Sequence, residues 1–384
     1  MIKHYEGELG EFDYDDEEFE IKWYYGKDRL HYIANELSVD LPQGCINISY
    51  MFSNCVLPEG FNLGNFDTSN VVDMSWMFAN CKLPEGFTLG NKFDTSNVEN
   101  MNGMFTNCIF PERFTLGDKF DTSNAVYMEN MFNNCKLPEG FSLGDKFDTS
   151  NVKYMAHMFS ECKICEKFSF GNNFNTSNMK YASYMFANCI FPEGFTLGDK
   201  FDTSNVRDMA GMFSNCKLPE GFSLRDKFDT YNVENMDSMF ADCKLPEGFS
   251  LGNNFDTSNV KDMSWMFNNC KLPEDFTLGD KFNTSNVENM DDMFNNCIFP
   301  KGFTLGNKFN TSNVKYMNCM FADCILPEGF SLGDKFDTSN MINMDYMFSN
   351  CILPKGFTLG DKFIINIFYG CKFPEDMTVR ALFK

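Results

Sequence analysis

Thiols are the most conspicuous reactive groups in this chain, and their spacing limits what they can do. Cys55 and Cys81 stand 26 residues apart, and from Cys81 to Cys351 a cysteine returns at every 27th position. A metal centre needs about four ligands converging on one ion, usually supplied as CxxC pairs. One thiol per repeat, stacked in a line, does not converge. Disulfides between successive repeats fall within bridging distance, but parallel side chains pointing inward are poorly aimed for it. The favoured reading is reduced thiols packed as small hydrophobes, in a reducing compartment. Cys162-Lys163-Ile164-Cys165 is a lone CxxC without the second ligand pair that a metal or redox role requires. Cys319 occupies a variable position and is the candidate for an exposed thiol.

Catalytic constellations are missing from the sequence. His4, His31 and His157 are the three histidines, and no Ser-His-Asp set, HExxH or glycine-rich phosphate loop accompanies them. Glu85, Glu112, Glu139, Glu166 and Glu193 place one acid per repeat. Such a row reads as a solvated face offset by Lys92, Lys119 and Lys146, in preference to a calcium site. No enzymatic activity, cofactor or metal is therefore expected. Binding is the better prospect. The two positions after each Val and the two before each Met-Phe vary most between repeats. There the chain carries Tyr127, Lys153, Tyr154, His157, Lys180, Tyr181 and Tyr184, which would form an aromatic, partly basic patch. Trp76 and Trp265 occupy the same column and are weaker candidates.

These residues ride on a repeat. A fixed period near 27 residues is the signature of a solenoid in which each unit is one coil. Within a unit, Phe276-Thr277-Leu278 suits a short strand, Gly279-Asp280 a turn, and Thr284-Ser285-Asn286 a cap. Val-x-x-Met-x-x-Met-Phe places apolar residues at i, i+3, i+6 and i+7, which predicts a short helical or 3₁₀ piece. Asn ends all eleven Asp-Thr-Ser-Asn-like turns from Asn70 to Asn340. That predicts an asparagine ladder bonding the backbone of the adjacent coil. The expected organisation is an N-terminal cap over 1–44, a solenoid of eleven to twelve coils over 45–363, and a C-terminal cap over 364–384.

The unit FDTSNVxxMxxMFxNC resembles the repeat of BspA-type leucine-rich-repeat surface proteins, over roughly residues 45 to 371. The resemblance implies a leucine-rich-repeat-like parallel β solenoid, and for many relatives export and attachment to host or matrix components. Net charge is −22, from 32 basic and 54 acidic residues, which disfavours nucleic acid as a partner. No segment approaches 18 apolar residues, so no membrane span is expected. The N-terminal MIKHYEGELGEFDYDDEEFE lacks a signal-peptide core, which with the free thiols favours a cytoplasmic location. The resemblance offers the cell surface as the alternative. The leading expectation for function is a non-enzymatic scaffold binding a protein or glycan through a lateral face. The alternative is a self-assembling filament or coat component, so monomer and homo-assembly both stay open.

Overall fold

The computed structural model describes residues 2–7, 10–15, 20–24, 41, 44–55, 57, 59–61, 63, 66–359 and 365–374. The chain divides into two compact units, Met1–Met179 with Cys189–Pro192, and Lys180–Asn188 with Glu193–Lys384. The first unit opens with an antiparallel meander of β1 (Ile2–Gly7), β2 (Gly10–Asp15) and β3 (Glu20–Tyr24). Ile2 lies opposite Asp15, and Glu11 opposite Tyr24. His31 lies outside the described residues.

From residue 44 the chain winds into coils joined by isolated parallel bridges. In the first unit one ladder runs Asn47–Asp73–Asn100–Tyr127–Tyr154, and a second runs from Lys82 to Ile190. In the second unit the matching ladders run from Tyr181 to Asn343 and from Lys217 to Lys372. The parallel stacking agrees with expectation. Among the described residues of the repeats the expected strands do not form, because each contact is a single bridge.

The expected helical piece is replaced by consecutive turns. In the coil Met263–Cys270, alternate amides leave the coil: Met263 N–H donates to Asn289 O (3.0 Å), Trp265 to Asp291 O (2.8 Å), Phe267 to Met293 O (2.9 Å) and Asn269 to Asn295 O (2.8 Å). The amides between them close turns, Met266 to Met263 O, Asn268 to Trp265 O and Cys270 to Phe267 O. A helix would keep all of these donors to itself. Trp265 and Asn269 sit at φ of 59° and 55°, at the third position of their turns, where a type II turn demands positive φ. Corners so close together bring Val, Met, Met and Phe inward at a spacing that mimics a helical stripe.

Inside, every coil contributes the same side chains. Phe52, Phe78, Phe105, Phe132 and Phe159 stack with ring centroids 5.4–5.7 Å apart in the first unit. In the second unit the stack runs from Phe186 through Phe213, Phe240, Phe267, Phe294 and Phe321 to Phe348. Each stacked pair contributes roughly 0.5–1.5 kcal/mol beyond its area. Three polar ladders flank this core. Buried Thr hydroxyls donate to the next coil's backbone, as from Thr95 to Asp121 O (2.7 Å) and Thr257 to Asn283 O (2.9 Å). The predicted asparagine ladder is present: Asn151 donates to Ser123 O (2.6 Å) and Asn286 to Ser258 O (2.7 Å). A further amide ladder stands beside each closing cysteine, with Asn107 donating to Asn80 Oδ1 (2.6 Å) and Asn296 to Asn269 Oδ1 (2.8 Å).

The last described segment continues the register. Ile365–Phe368 forms one turn of 3₁₀ helix, and Phe368 stacks on Phe348. Ile367 O and Tyr369 O accept the outward amides of Phe348 and Asn350, both at 2.8 Å.

Candidate recognition face

The position two after each Val is not the unconstrained surface that its variability suggests. In most coils it holds Asp or Asn, whose Oδ1 accepts the N–H two residues on. Asp73 takes Ser75 N (2.8 Å), Asp208 takes Ala210 N (2.9 Å) and Asp262 takes Ser264 N (2.9 Å). This is the Asx turn, a local cap on the first corner of the coil. Tyr127, Tyr154, Tyr181 and Tyr316 occupy the same row and cannot make that bond. The deserted amide is rescued from the preceding coil in two of them. Glu129 N–H donates to Asn102 Oδ1 (2.8 Å), and Asn318 N–H to Asp291 Oδ1 (2.6 Å).

Tyr127 and Tyr154 pair through a parallel bridge, and their rings stack at 4.9 Å and 13°. Tyr127 remains 39% exposed and Tyr154 is half-buried, so the pair keeps aromatic surface in contact with solvent. Lys153 is exposed beside it. His157 is half-buried at φ 57°, and burial lowers its imidazole pKa against the opposing pull of Glu129 and Glu161. These four predicted residues belong to the first unit; Lys180, Tyr181 and Tyr184 belong to the second. There Tyr181 is 39% exposed in its bridge to Asp208, and Lys180 Nζ donates to Asn205 Oδ1 (3.3 Å). Two residues of this kind escape the sequence reading. Tyr316 is 41% exposed, and Arg207 follows Lys180 in the basic row. Further along that row the charges pair off, Lys261 with Glu234 and Lys315 with Glu288, each at 2.6 Å.

The thiols have a structural use. From Cys81 onward each column cysteine donates its S–H to the carbonyl of the core Phe in the preceding coil, as from Cys108 to Phe78 O (2.9 Å) and Cys270 to Phe240 O (2.9 Å). Burial pushes both thiols up to about 12. All sixteen cysteines are free. Within the CxxC, Cys162 bonds Phe132 O (2.8 Å), while Cys165 lines a groove of about 790 Å³ between Ile109 and Ile190. Cys319 is partly exposed, as expected, with burial and nearby aspartates raising it to about 11. Among the described residues, no group of three or more His, Cys, Asp or Glu could hold a metal ion. Among them, too, no helix is long and apolar enough to cross a membrane.

The family model described as "Mycoplasma protein of unknown function, DUF285" matches residues 46–140, 114–217, 190–297 and 246–355 in overlapping tandem. The chain belongs to this family and is a tandem-repeat protein. No curated protein and no solved structure matches it.

Proposed function

We propose that this member of the DUF285 family is a non-enzymatic recognition scaffold, a leucine-rich-repeat-like solenoid of the BspA type whose Tyr127–Tyr154 face binds a protein partner. One observation carries this reading: tyrosine stands where other coils have the capping Asx, at consecutive rungs of a bridge ladder, and at the Tyr127 rung Asn102 supplies the missing bond. Tyrosine at these rungs gives up the local Asx cap and puts aromatic surface in its place. Stacked tyrosines supply large contact area at low entropic cost, and Lys153 adds a cation at the rim. Attachment to a host or matrix protein at a cell surface is the partner class that the BspA resemblance supports.

Reverting Tyr127 and Tyr154 to Asn together is the test. The double variant should keep or raise thermal stability, because the local caps return. It should also lose binding to whichever purified matrix glycoprotein the native chain captures on a biosensor. Unchanged affinity removes this face from consideration.

Self-assembly is the second reading, and the exposed ladder Ile298–Ile325–Ile352 favours it. These side chains are 55%, 59% and 40% exposed, three consecutive isoleucines in a row that elsewhere carries Lys except at Ile109 and Ile190. Light scattering across a wide concentration range, with reductant, should show mass rising in the native chain and a constant monomer in Ile325→Lys. A native monomer throughout rejects assembly.

A further inference from the structure

Two glycines in the turn column are there for the space they leave. The column that holds Trp76 has φ between 52° and 62° in every coil, whether the residue is Asn130, Ser238, Asp292 or Tyr346. Left-handed backbone alone therefore does not call for glycine here. Yet Gly103 follows Trp76, and Gly211 follows Tyr184, one coil later. A Cβ on Gly103 would stand 2.5 Å from Trp76 Cδ2, 2.6 Å from Cε3 and 2.7 Å from Cε2. Cδ2 is a ring-fusion carbon with three neighbours in the plane, so an atom that near can approach only through the face. The indole lies flat over the Gly103 backbone. Gly211 meets the Tyr184 ring in the same way, a Cβ there falling 2.1 Å from Cε1.

With one face against Gly103, the exposure left to Trp76 lies at its other face and edges, shared with the Tyr50 ring that stacks beside it. Trp76 is half-buried, and the Tyr50 ring, 54% exposed, runs within 5° of parallel to it at a centroid distance of 6.1 Å. Polar rows border this strip on both sides of the coil. Four residues on stand Asn54, Asn80 and Asn107, linked Nδ2 to Oδ1 at 3.0 and 2.6 Å. Each such link uses one N–H and one lone pair, leaving every amide a second donor and acceptor to offer. Three residues before lie Asp73 and Asn100, joined at 3.1 Å. No Lys or Arg stands in these three rows, so the strip does not select an anion.

We propose that the strip of Tyr50, Trp76 and Gly103 binds a neutral oligosaccharide of β-linked, gluco-configured pyranose rings, one ring resting on the outer face of Trp76. In that configuration the substituents are equatorial and the axial C–H bonds make two flat apolar faces, complementary to an indole. The equatorial hydroxyls then reach sideways to the amide rows. This site is separate from the Tyr127–Tyr154 face and does not rest on it.

The test uses the full chain with cellotriose and triacetylchitotriose as probes, followed by tryptophan emission and saturation-transfer NMR. Titration runs to about 20 mM, past the ~1 mM dissociation constant that such a contact set supports. A saturable shift with either sugar is expected, abolished by Trp76→Ala and unaffected by Trp265→Ala. Gly103→Asn installs the residue that Asn130 already carries at the same φ. It should leave circular dichroism unchanged, displace the indole and weaken binding at least about tenfold. No saturable response to either sugar overturns the proposal, as does binding that survives Trp76→Ala or Gly103→Asn.

Discussion

Asp73-Met74-Ser75-Trp76 and Asp262-Met263-Ser264-Trp265 are the same four residues at the same place in a coil, with their tryptophans at φ 58° and 59°. Their backbones bond alike, each tryptophan amide donating outward, at 2.7 and 2.8 Å. Their indoles nevertheless end differently. Trp76 settles over Gly103, whereas Trp265 is followed by Asp292 and stands 45% exposed. Identical local sequence, similar backbone and different surfaces mean that an outer side chain is placed by the neighbouring coils, Tyr50 and Gly103 for Trp76 against Ser238 and Asp292 for Trp265. The interior is placed by the repeat itself, since Met, Phe and Cys are equally buried in both coils.

The comparison predicts that the interiors respond alike and the surfaces do not. The largest effect should come from alkali. A thiol held near 12 in the fold but near 8.5 when unfolded keeps its proton while the unfolded chain loses one. Stability is untouched below that unfolded value and falls as pH rises past it, by about 1.4 kcal/mol per unit for each buried thiol. Both units should therefore collapse steeply by about pH 10 in a circular-dichroism titration, and survival of either would break the equivalence. Next, Phe78→Ala and Phe267→Ala should each remove about 3–5 kcal/mol in chemical denaturation. A difference beyond about 1 kcal/mol between them would show that the two interiors are not interchangeable. The smallest effect should sharpen the contrast outside. Asp292→Gly gives Trp265 the bed that Trp76 has, so its emission should move to the blue and iodide quenching should fall. Stability should change by less than about 1 kcal/mol. An unmoved emission maximum would mean that glycine alone does not seat the ring.

Much of the interior was legible in the sequence because columns repeat their residue types. The period, the parallel stacking and the asparagine ladder, whose donors run from Asn97 to Asn340, all follow from that. The turns were not legible, since Val-x-x-Met-x-x-Met-Phe has the apolar spacing of a helix. What decides between the two is the destination of the amides, and that lies 26 or 27 residues away. One signal was available: the residue before the closing cysteine is Asn or Asp in every coil except at Glu161 and Gly370, as positive φ favours. The candidate face was half legible. Tyr127 and Tyr154 were found by their variability, but the cap they displace shows only when Asp73 and Asn100 are seen to make one. The pairing of Trp76 with Gly103 could be found only by reading a column two coils at a time.

The alternating amides also bear on how such a chain changes length. Phe240 N–H donates to Met266 O, and Phe267 N–H makes the equivalent bond to Met293 O. Excising residues 244–270 would hand Cys243 on to Lys271, and the Phe240 donor would meet Met293 O in the geometry it had before. Nothing in the coil records its ordinal number. Recombination between near-identical repeats can thus lengthen or shorten the array in whole steps of 27 residues, carrying surface rows such as the tyrosines in or out with each step and leaving the interior's hydrogen bonds complete.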